Sequence, residues 1–447
     1  MTTLFPVVIA LTSASALPVG SARGVELLGY LENWVDVKWW DNDIPGNCLM
    51  GCFNAAPLIE KTKPYSAINY GFAFLTQNPS PDQVGCGTAA PAGPCPEWDG
   101  QSIYLSQAGK QGSHVVDAST TLEESSPGAI AIAEVVRMAR MHPDGPKRAK
   151  IALGGWSDYA RLCSVENGKK AAALMGKLVQ ITFADGVDLD FEHLTPFDNV
   201  AGCNEFAAFQ SLITNLRTEL STVAANWVDS ANARKAALQK QFDDLEPYQK
   251  ATAYFYNSSI LYLGEVASNP PPHMEISWTT RFNAYVPTDD PWNYVADGAS
   301  HPNATYETDN EGAKIYGVVA DDVDTVNIMA YDGDGFLFNY DAIFDNFEKI
   351  GKVPLSKVNM GFEPGEQAGS GKWEGLDKDK SVAQYVKDHE VGGVMLWGVN
   401  PSPQTNPEGA KLCPQTAQAL KDIVQPTYAW GPAPKYTKCD PQTGWVV

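Results

Sequence analysis

The stretch Asp185-Gly186-Val187-Asp188-Leu189-Asp190-Phe191-Glu192 decides the fold of this chain. Side chains alternate along a β-strand, so Asp188, Asp190 and Glu192 point to one face and the three apolar side chains point to the other. Asp185 has the opposite parity and is expected just before the strand, where it makes a turn or a backbone hydrogen bond. An edge strand with a solvated acidic face would show the same alternation, so the neighbouring segments must decide between the two.

Short, almost wholly apolar runs recur along the chain and are separated by helical or loop segments. With the acidic stretch there are eight candidates, at 25–30, 67–75, 150–155, 186–192, 275–282, 325–331, 358–362 and 392–397. Strands that are apolar on both faces are typical of a parallel sheet covered by helices. Eight of them in βαβα order predict an α/β protein with one (β/α)8 TIM barrel, and a doubly wound sheet is the alternative. Because such a barrel has no solvated interior face, the acidic face is expected to line its lumen.

The segments between these strands complete the expected organisation. Helical periodicity is clear at 129–141 and from 204 to about 250. The Gly-, Pro- and Ser-rich stretch 77–126 and the Asp-, Asn- and Pro-rich stretch 286–311 are interpreted as long loops. We expect a signal peptide at 1–22, a catalytic barrel at 23–424 and a Pro- and aromatic-rich tail at 425–447, which either packs back on the barrel or binds sugar.

Charge and the first residues of the chain limit its partners and location. The formal net charge is -21, so nucleic acid would be repelled. An apolar run at 4–11 precedes small residues, which predicts a secretory signal cleaved after Ala16 or Ala22. The remaining chain has no uncharged apolar run of membrane-spanning length, so no membrane partner is expected. We therefore expect a secreted, soluble monomer.

The eight cysteines fit a secreted chain. Proximity in sequence suggests the pairs 48–52, 86–95, 163–203 and 413–439, among 105 possible pairings, and an even count predicts no free thiol. A zinc site is the alternative, but there is no C-x-x-C motif and only six His, so no metal is expected. The sequons at Asn257 and Asn303 predict glycosylation.

Three carboxylates in one barrel lumen indicate acid–base chemistry. Burying an unpaired charge costs several kcal/mol, so the three groups are expected to share protons, which raises at least one pKa and supplies a general acid. Glu192 lies at the carboxyl end of its strand, where barrel enzymes place their chemistry.

These residues also resemble a known family. Asp185, Asp188, Asp190 and Glu192 match the D-x-x-D-x-D-x-E signature of glycoside hydrolase family 18, the chitinases and their relatives. The stretch 150–156 resembles the S-x-G-G motif of the family's third strand, and 327–332 resembles the M-x-Y-D motif of its sixth. The stretch 393–397 resembles the eighth strand with its terminal Trp. Ala152, His193 and the stretch 361–364 depart from the family pattern.

The resemblance implies a role for each matching residue. Asp190 and Glu192 approach a substrate from one side, so they cannot flank the scissile bond as in ordinary glycosidases, and the family instead uses the substrate's 2-acetamido group as nucleophile. Glu192 would be the general acid and base, Asp190 would orient the acetamido group, Asp188 would share its proton, and Tyr331 would donate its hydroxyl. The resemblance assigns the motif backbone and the substrate contacts to Gly154, Gly155, Trp397, Asp332, Tyr30, Tyr70, Trp156 and Met329.

The expected activity is therefore hydrolysis of β-1,4-N-acetylglucosaminide bonds in chitin and chitooligosaccharides, without a cofactor. Only about thirty residues separate the seventh and eighth strands, so the α+β insertion domain of some family members does not fit, and a shallow groove suited to internal cleavage is expected. An endo-β-N-acetylglucosaminidase acting on N-glycans and a non-catalytic chitin-binding lectin are the alternatives. Trp156, Trp397 and the adjacent Trp39 and Trp40 favour a linear chain of stacked sugars.

Overall fold

Eight parallel strands close into a barrel in this computed structural model. The described residues form these eight barrel strands and two hairpins. In chain order the strands are β1 (Glu26–Glu32), β2 (Ala67–Phe74), β3 (Ser102–Gln107), β4 (Lys110–Asp117), β5 (Arg148–Gly154), β6 (Gly186–Asp190), β7 (Glu275–Arg281), β8 (Thr325–Met329), β9 (Val358–Phe362), β10 (Gly393–Leu396), β11 (Lys438–Asp440) and β12 (Gly444–Val446). The barrel order is β1-β10-β9-β8-β7-β6-β5-β2, and β2 pairs back with β1 to close it. All eight predicted strands and the predicted TIM barrel are confirmed.

The helices lie between successive strands. They are α1 (Ala55–Thr62), α2 (Pro127–Met141), α3 (Val165–Thr182), α4 (Glu205–Ala225), α5 (Trp227–Asp243), α6 (Pro247–Lys250), α7 (Tyr254–Ser268), α8 (Glu311–Val319), α9 (Tyr340–Asp345), α10 (Leu376–Asp388) and α11 (Pro407–Val424). The helical stretch predicted from 204 to 250 is divided at Asn226 and again after Asp243. The connection between β9 and β10 contains α10, which confirms a barrel without the insertion domain.

The structure describes residues 24–33, 35, 55–77, 96–107, 110–121, 127–141, 145–192, 202–250, 254–271, 273–296, 311–333, 336–365, 367, 372–426, 438–440 and 444–446. The predicted signal segment, Trp39, Trp40, the sequon at Asn303 and the cysteines at 48, 52, 86 and 95 lie outside the described residues. The side chains of Asn257 and Cys439 also lie outside them, as does most of the tail. No helix in these described ranges combines the length and apolarity that crossing a membrane requires.

Part of the predicted loop at 77–126 is a hairpin. Strands β3 and β4 pair antiparallel, and β3 adds to the end of β2 through Ala73 and Leu105. Ile103, Leu105 and Val116 are buried, so the hairpin contributes to the core. The prediction of a loop here is wrong. The Gly- and Pro-rich composition of the stretch obscures the short alternating pattern of β3.

The cysteines give one confirmed pair and one error. Cys163 and Cys203 form a disulfide that joins the residues immediately before α3 and α4. Cys413 is a free, buried thiol on α11, where it accepts a hydrogen bond from Gln367 Nε2 at 2.9 Å. The predicted Cys413–Cys439 pair and the expectation of no free thiol are therefore wrong. The β11–β12 hairpin that carries Cys439 packs against α7, whereas α11 packs against α10 and β1.

The barrel lumen contains buried ion pairs at its amino end and an apolar cluster beside the acidic strand. Arg148 pairs with Glu26 and Glu275 at the amino end. One layer above, Lys150 Nζ donates to Ser277 Oγ at 2.9 Å. The expectation that every other strand is apolar on both faces was wrong, because the charges of β1, β5 and β7 pair with each other inside the barrel. The lumen also holds an apolar cluster of Leu28, Tyr30, Ala67, Phe72, Phe74, Ala152, Met329 and Met395.

Candidate active site

Asp185 lies before β6 and anchors the strand at the amino end of the barrel. Its carboxylate accepts the backbone N–H of Ala149 at 2.8 Å and the Arg140 Nε–H at 3.2 Å. These bonds join the start of β6 to β5 and α2, far from the lumen mouth. Asp185 therefore has a structural part in the motif, at the opposite end of β6 from Glu192.

Asp188 is fully buried in the lumen and is surrounded by hydrogen-bond donors. It accepts from the hydroxyls of Tyr30 and Ser277, from Thr279 Oγ1 at 3.1 Å and from Asn327 Nδ2 at 3.0 Å. Burial raises the pKa of Asp188, while Lys150 and the hydroxyl donors oppose the rise. Donors on β1, β7 and β8 therefore converge on one carboxylate and fix its position.

Asp190 is also buried, but its environment is acidic. Burial raises its pKa well above the usual range, and the negative charges of Glu192, Asp188 and Glu311 raise it further. Its Oδ1 has no hydrogen-bond partner among the described residues. These effects favour the protonated form of Asp190, and its Oδ1 is an unsatisfied oxygen inside the lumen.

Glu192 follows β6 at the carboxyl end of the barrel and is half-buried. Burial raises its pKa to about 7, Arg281 opposes the rise, and Asp332 adds to it. The backbone N–H of Trp156 donates to the Glu192 carboxylate, and the Arg281 guanidinium donates to the Glu192 backbone carbonyl. A carboxyl with this pKa can give up a proton and take it back near neutral pH, as a general acid and base must.

The pair Gly154 and Gly155 lets β5 end close to β6. Their φ angles are 115° and 83°, in the region that favours glycine. A Cβ on Gly154 would lie 2.2 Å from the Asp190 carbonyl oxygen, and one on Gly155 would lie 2.7 Å from the Phe72 ring. The Gly155 N–H donates to that same Asp190 carbonyl at 2.6 Å. Both glycines are therefore required to hold the backbone of Asp190.

Aromatic rings form one wall of the lumen beside these carboxyls. Trp397 is half-buried, 5.3 Å from Tyr30 and stacked 6.0 Å from Phe72, measured between ring centroids. Tyr331 and Met329 pack on the same cluster. Burial and the surrounding carboxylates raise the pKa of Tyr331 well above its usual range, so its hydroxyl keeps its proton and can donate it in a hydrogen bond.

The other predicted substrate contacts divide into two groups. Trp156 is 48% exposed at the end of β5, and Asp332 is half-buried after β8 with a φ of 55°, so both lie at the mouth. Tyr70 does not. It points to the outer face of β2 and packs in the core beneath the helices, because it has the parity of Ile68. The predicted substrate contact from Tyr70 is wrong, and Phe72 enters the lumen instead, because the register of β2 shifts between Gly71 and Ala73.

Several lumen residues had no predicted role. Ser277, Thr279 and Arg281 share a face of β7, and Asn327 and Lys150 face them from β8 and β5. The polar side chains at every second position of the stretch 275–281 are the signal that could have found them. Among the described residues, no group of three or more His, Cys, Asp and Glu side chains is placed to hold a metal ion.

The rate is expected to fall as the pH rises through about 7. The family resemblance makes the protonated form of Glu192 the acid, and the pKa of Glu192 is raised to about 7, so this acid would be present below that pH and lost above it. Above the transition, kcat/KM should fall about tenfold per pH unit. A kcat/KM profile on a soluble chitooligosaccharide measures this, and a basic limb near pH 5 would contradict the environment described for Glu192.

The chain was compared with known proteins. The sequence matches no protein-family model and no curated protein sequence. Among solved structures, it is similar to a GH18 chitinase from Pseudoalteromonas aurantia, with 15% identity and a TM-score of 0.45 over 90% of this chain and 100% of that one. For the Ostrinia furnacalis group IV chitinase, the identity is 11% and the TM-score 0.46, over 90% and 100% of the two chains. YKL-39, solved in the presence of chitooligosaccharides, is 13% identical with a TM-score of 0.44, over 89% of this chain and 99% of that one.

Proposed function

We propose that this chain is a glycoside hydrolase of family 18 that cleaves β-1,4-N-acetylglucosaminide bonds in chitin and chitooligosaccharides. The observation that carries the proposal is the line of Asp188, Asp190 and Glu192 along one strand, facing one lumen. The first accepts hydrogen bonds from donors on three strands, the second has a pKa raised well above its usual range, and the third has a pKa of about 7. These three different environments suit one proton donor at the mouth of the lumen, with two supporting carboxyls behind it.

The proposed reaction uses the substrate as nucleophile. Glu192 gives its proton to the glycosidic oxygen as the C1–O bond breaks, and the acetamido carbonyl oxygen of the same sugar bonds to C1. Asp190 holds the acetamido N–H, and Tyr331 donates to its oxygen. Water then attacks C1 and loses a proton to Glu192, the bond between C1 and the acetamido oxygen breaks, and the acetamido group is restored. Two inversions at C1 give net retention.

The aromatic wall supports a sugar substrate. Trp397 presents a half-buried ring beside Tyr331, and apolar rings of this kind pack against the C–H faces of pyranose rings. Trp156, exposed at the mouth, would contact a second sugar of a linear chain. The short β9–β10 connection favours an open groove and internal cleavage, so an exclusively terminal, processive product pattern would count against this part of the proposal.

Secretion is part of the proposal. The Cys163–Cys203 disulfide supports an oxidising compartment, and the sequence pattern at 1–22 supports export. Extracellular chitin or another N-acetylglucosamine-containing glycan would be the target there.

The deciding assay compares chitooligosaccharides with a high-mannose glycoprotein in parallel reactions. The proposal predicts shorter chitooligosaccharides and an intact glycoprotein. Release of the N-glycan alone would assign the chain as an endo-β-N-acetylglucosaminidase. Binding of chitooligosaccharides without any cleavage would assign it as a lectin.

A further inference from the structure

Lys150 is a buried cation in the middle of the barrel lumen that the proposed reaction does not use. It is 1% exposed, and its Nζ donates to Ser277 Oγ at 2.9 Å and lies 3.9 Å from Glu275 Oε2. Ser277 in turn donates its hydroxyl to Asp188 Oδ1. A continuous chain of hydrogen bonds therefore runs from the Lys150 ammonium through one hydroxyl to the innermost carboxyl of the acidic strand.

The groups around Asp188 leave Lys150 as its nearest cation. The other neighbours are acids or neutral donors. The titratable and charged groups that face Asp188 or lie in the layers next to it are Tyr30 and Glu26 on β1, Arg148 and Lys150 on β5, Asp190 on β6, and Glu275 on β7. Arg148 is already bound between Glu26 and Glu275, one layer below. On β8, the facing side chain is the neutral amide of Asn327.

We propose that Lys150, acting through the Ser277 hydroxyl, keeps Asp188 ionised, so that the proton shared by the two aspartates stays on Asp190. Lys150 is then a positioning residue for the proton rather than a catalytic residue. This inference rests on the proposed function, in which a protonated Asp190 next to Glu192 receives the acetamido group.

The electrostatics of the two aspartates agree with this assignment. Lys150 lowers the pKa of Asp188, against the effect of burial. Among the residues that the structure describes, no cation opposes the rise at Asp190, where burial, Glu192, Asp188 and Glu311 all raise the pKa. When two adjacent carboxyls share one proton, the proton is held by the carboxyl that has no neighbouring cation.

Removing the ammonium with Lys150→Met should move the acid limb of the kcat/KM profile to higher pH. Without the cation, Asp188 takes up a second proton at a higher pH, and the doubly protonated pair no longer supports the reaction. An opposite charge at this range shifts a pKa by about 1 to 3 units, so we expect the acid limb to rise by at least about one pH unit. The basic limb, which Glu192 controls, should stay in place.

Two further variants separate this role from a merely structural one. Ser277→Ala removes the bridging hydroxyl but keeps the lysine, and should move the acid limb in the same direction by a smaller amount. Lys357→Met removes a lysine that donates to the Ala320 and Val323 carbonyls outside the lumen, and should leave both limbs unchanged. A lower rate with an unmoved acid limb in both Lys150→Met and Ser277→Ala would overturn the proposal.

A measurement that does not depend on turnover tests the role of Lys150 separately from the proposed function. Infrared difference spectra of the folded protein across the pH range follow carboxyl protonation, and the band lost in Asp188→Asn identifies Asp188. In Lys150→Met, or in Ser277→Ala if the first variant does not fold, that band should appear at higher pH than in the wild type. Absence of any activity on chitin would reject the proposed function, whereas an unshifted Asp188 band would reject the role of Lys150.

Discussion

Glu192→Gln is expected to abolish hydrolysis of chitooligosaccharides while the protein stays folded and binds them. The amide has nearly the same shape as the carboxyl but cannot deliver a proton to the leaving oxygen or take one from water. General acid–base catalysis by one positioned group contributes a factor of about 10² to 10⁴, and here the same group acts in both steps. A loss of kcat of at least about 10³-fold is therefore expected, with little change in binding measured by calorimetry.

The matched control for this variant is Glu205→Gln. Glu205 is also a buried glutamate, but it pairs with Arg161 Nε at 2.6 Å at the start of α4, outside the lumen. Its amide variant should keep kcat within a few-fold of the wild type, whatever it does to stability. Near-normal turnover by Glu192→Gln, or equal losses in both variants, would sink the assignment of Glu192.

Arg148→Met should give the largest loss of stability among single substitutions in the lumen. The guanidinium lies between Glu26 and Glu275 at the amino end of the barrel, and all three side chains are buried. Removing one partner of a buried ionic group leaves the others as uncompensated charges, which costs about 3 to 5 kcal/mol. Urea denaturation should show this loss in the free energy of unfolding.

Two comparisons test the physical reason for that loss. Arg234→Met removes a half-buried arginine that donates to the Ile181 carbonyl and lies 5.0 Å above the Phe183 ring, and should cost no more than about 2 kcal/mol. Adding Glu26→Gln and Glu275→Gln to Arg148→Met should recover part of the loss, because the buried charges are then gone. Equal stability of wild type and Arg148→Met would show that these charges are not isolated from water.

The barrel could be predicted from the sequence because its outward-facing side chains are apolar in every strand. Ile276 and Trp278 on β7, for example, are fully buried beneath the helices. The polar interior could not be predicted in the same way. A strand that alternates polar and apolar residues looks the same whether its polar face meets water or meets opposite charges across a lumen, as Glu275 meets Arg148. Only the closure of the barrel decides between them.

The positions of the side chains in the lumen could be predicted where a motif and strand parity agreed. Asp188, Asp190 and Glu192 line one lumen, and Tyr331 and Trp397 lie beside them. Parity also explains the error at Tyr70, which was assigned by its place near the end of a strand although it shares the outward face of Ile68. The contribution of Lys150 depends on a hydrogen bond to a residue 127 positions away. Such a contact has no local signature in the sequence.

The nucleophile is the central claim, since it separates substrate-assisted hydrolysis from any mechanism with a second catalytic carboxylate. Asp190 and Glu192 share one face, and in the proposed reaction an acetamido oxygen supplied by the substrate attacks C1 in their place. A free amine has no carbonyl oxygen, so the sugar on the non-reducing side of each cleaved bond must be N-acetylated.

Partially deacetylated chitin, digested while the anomeric protons are followed by NMR, tests this claim most directly. The account predicts that every new reducing end is N-acetylglucosamine and that it appears first as the β-anomer. Glucosamine at new reducing ends, or α-anomers formed first, would contradict it and would require a nucleophile or base supplied by the protein.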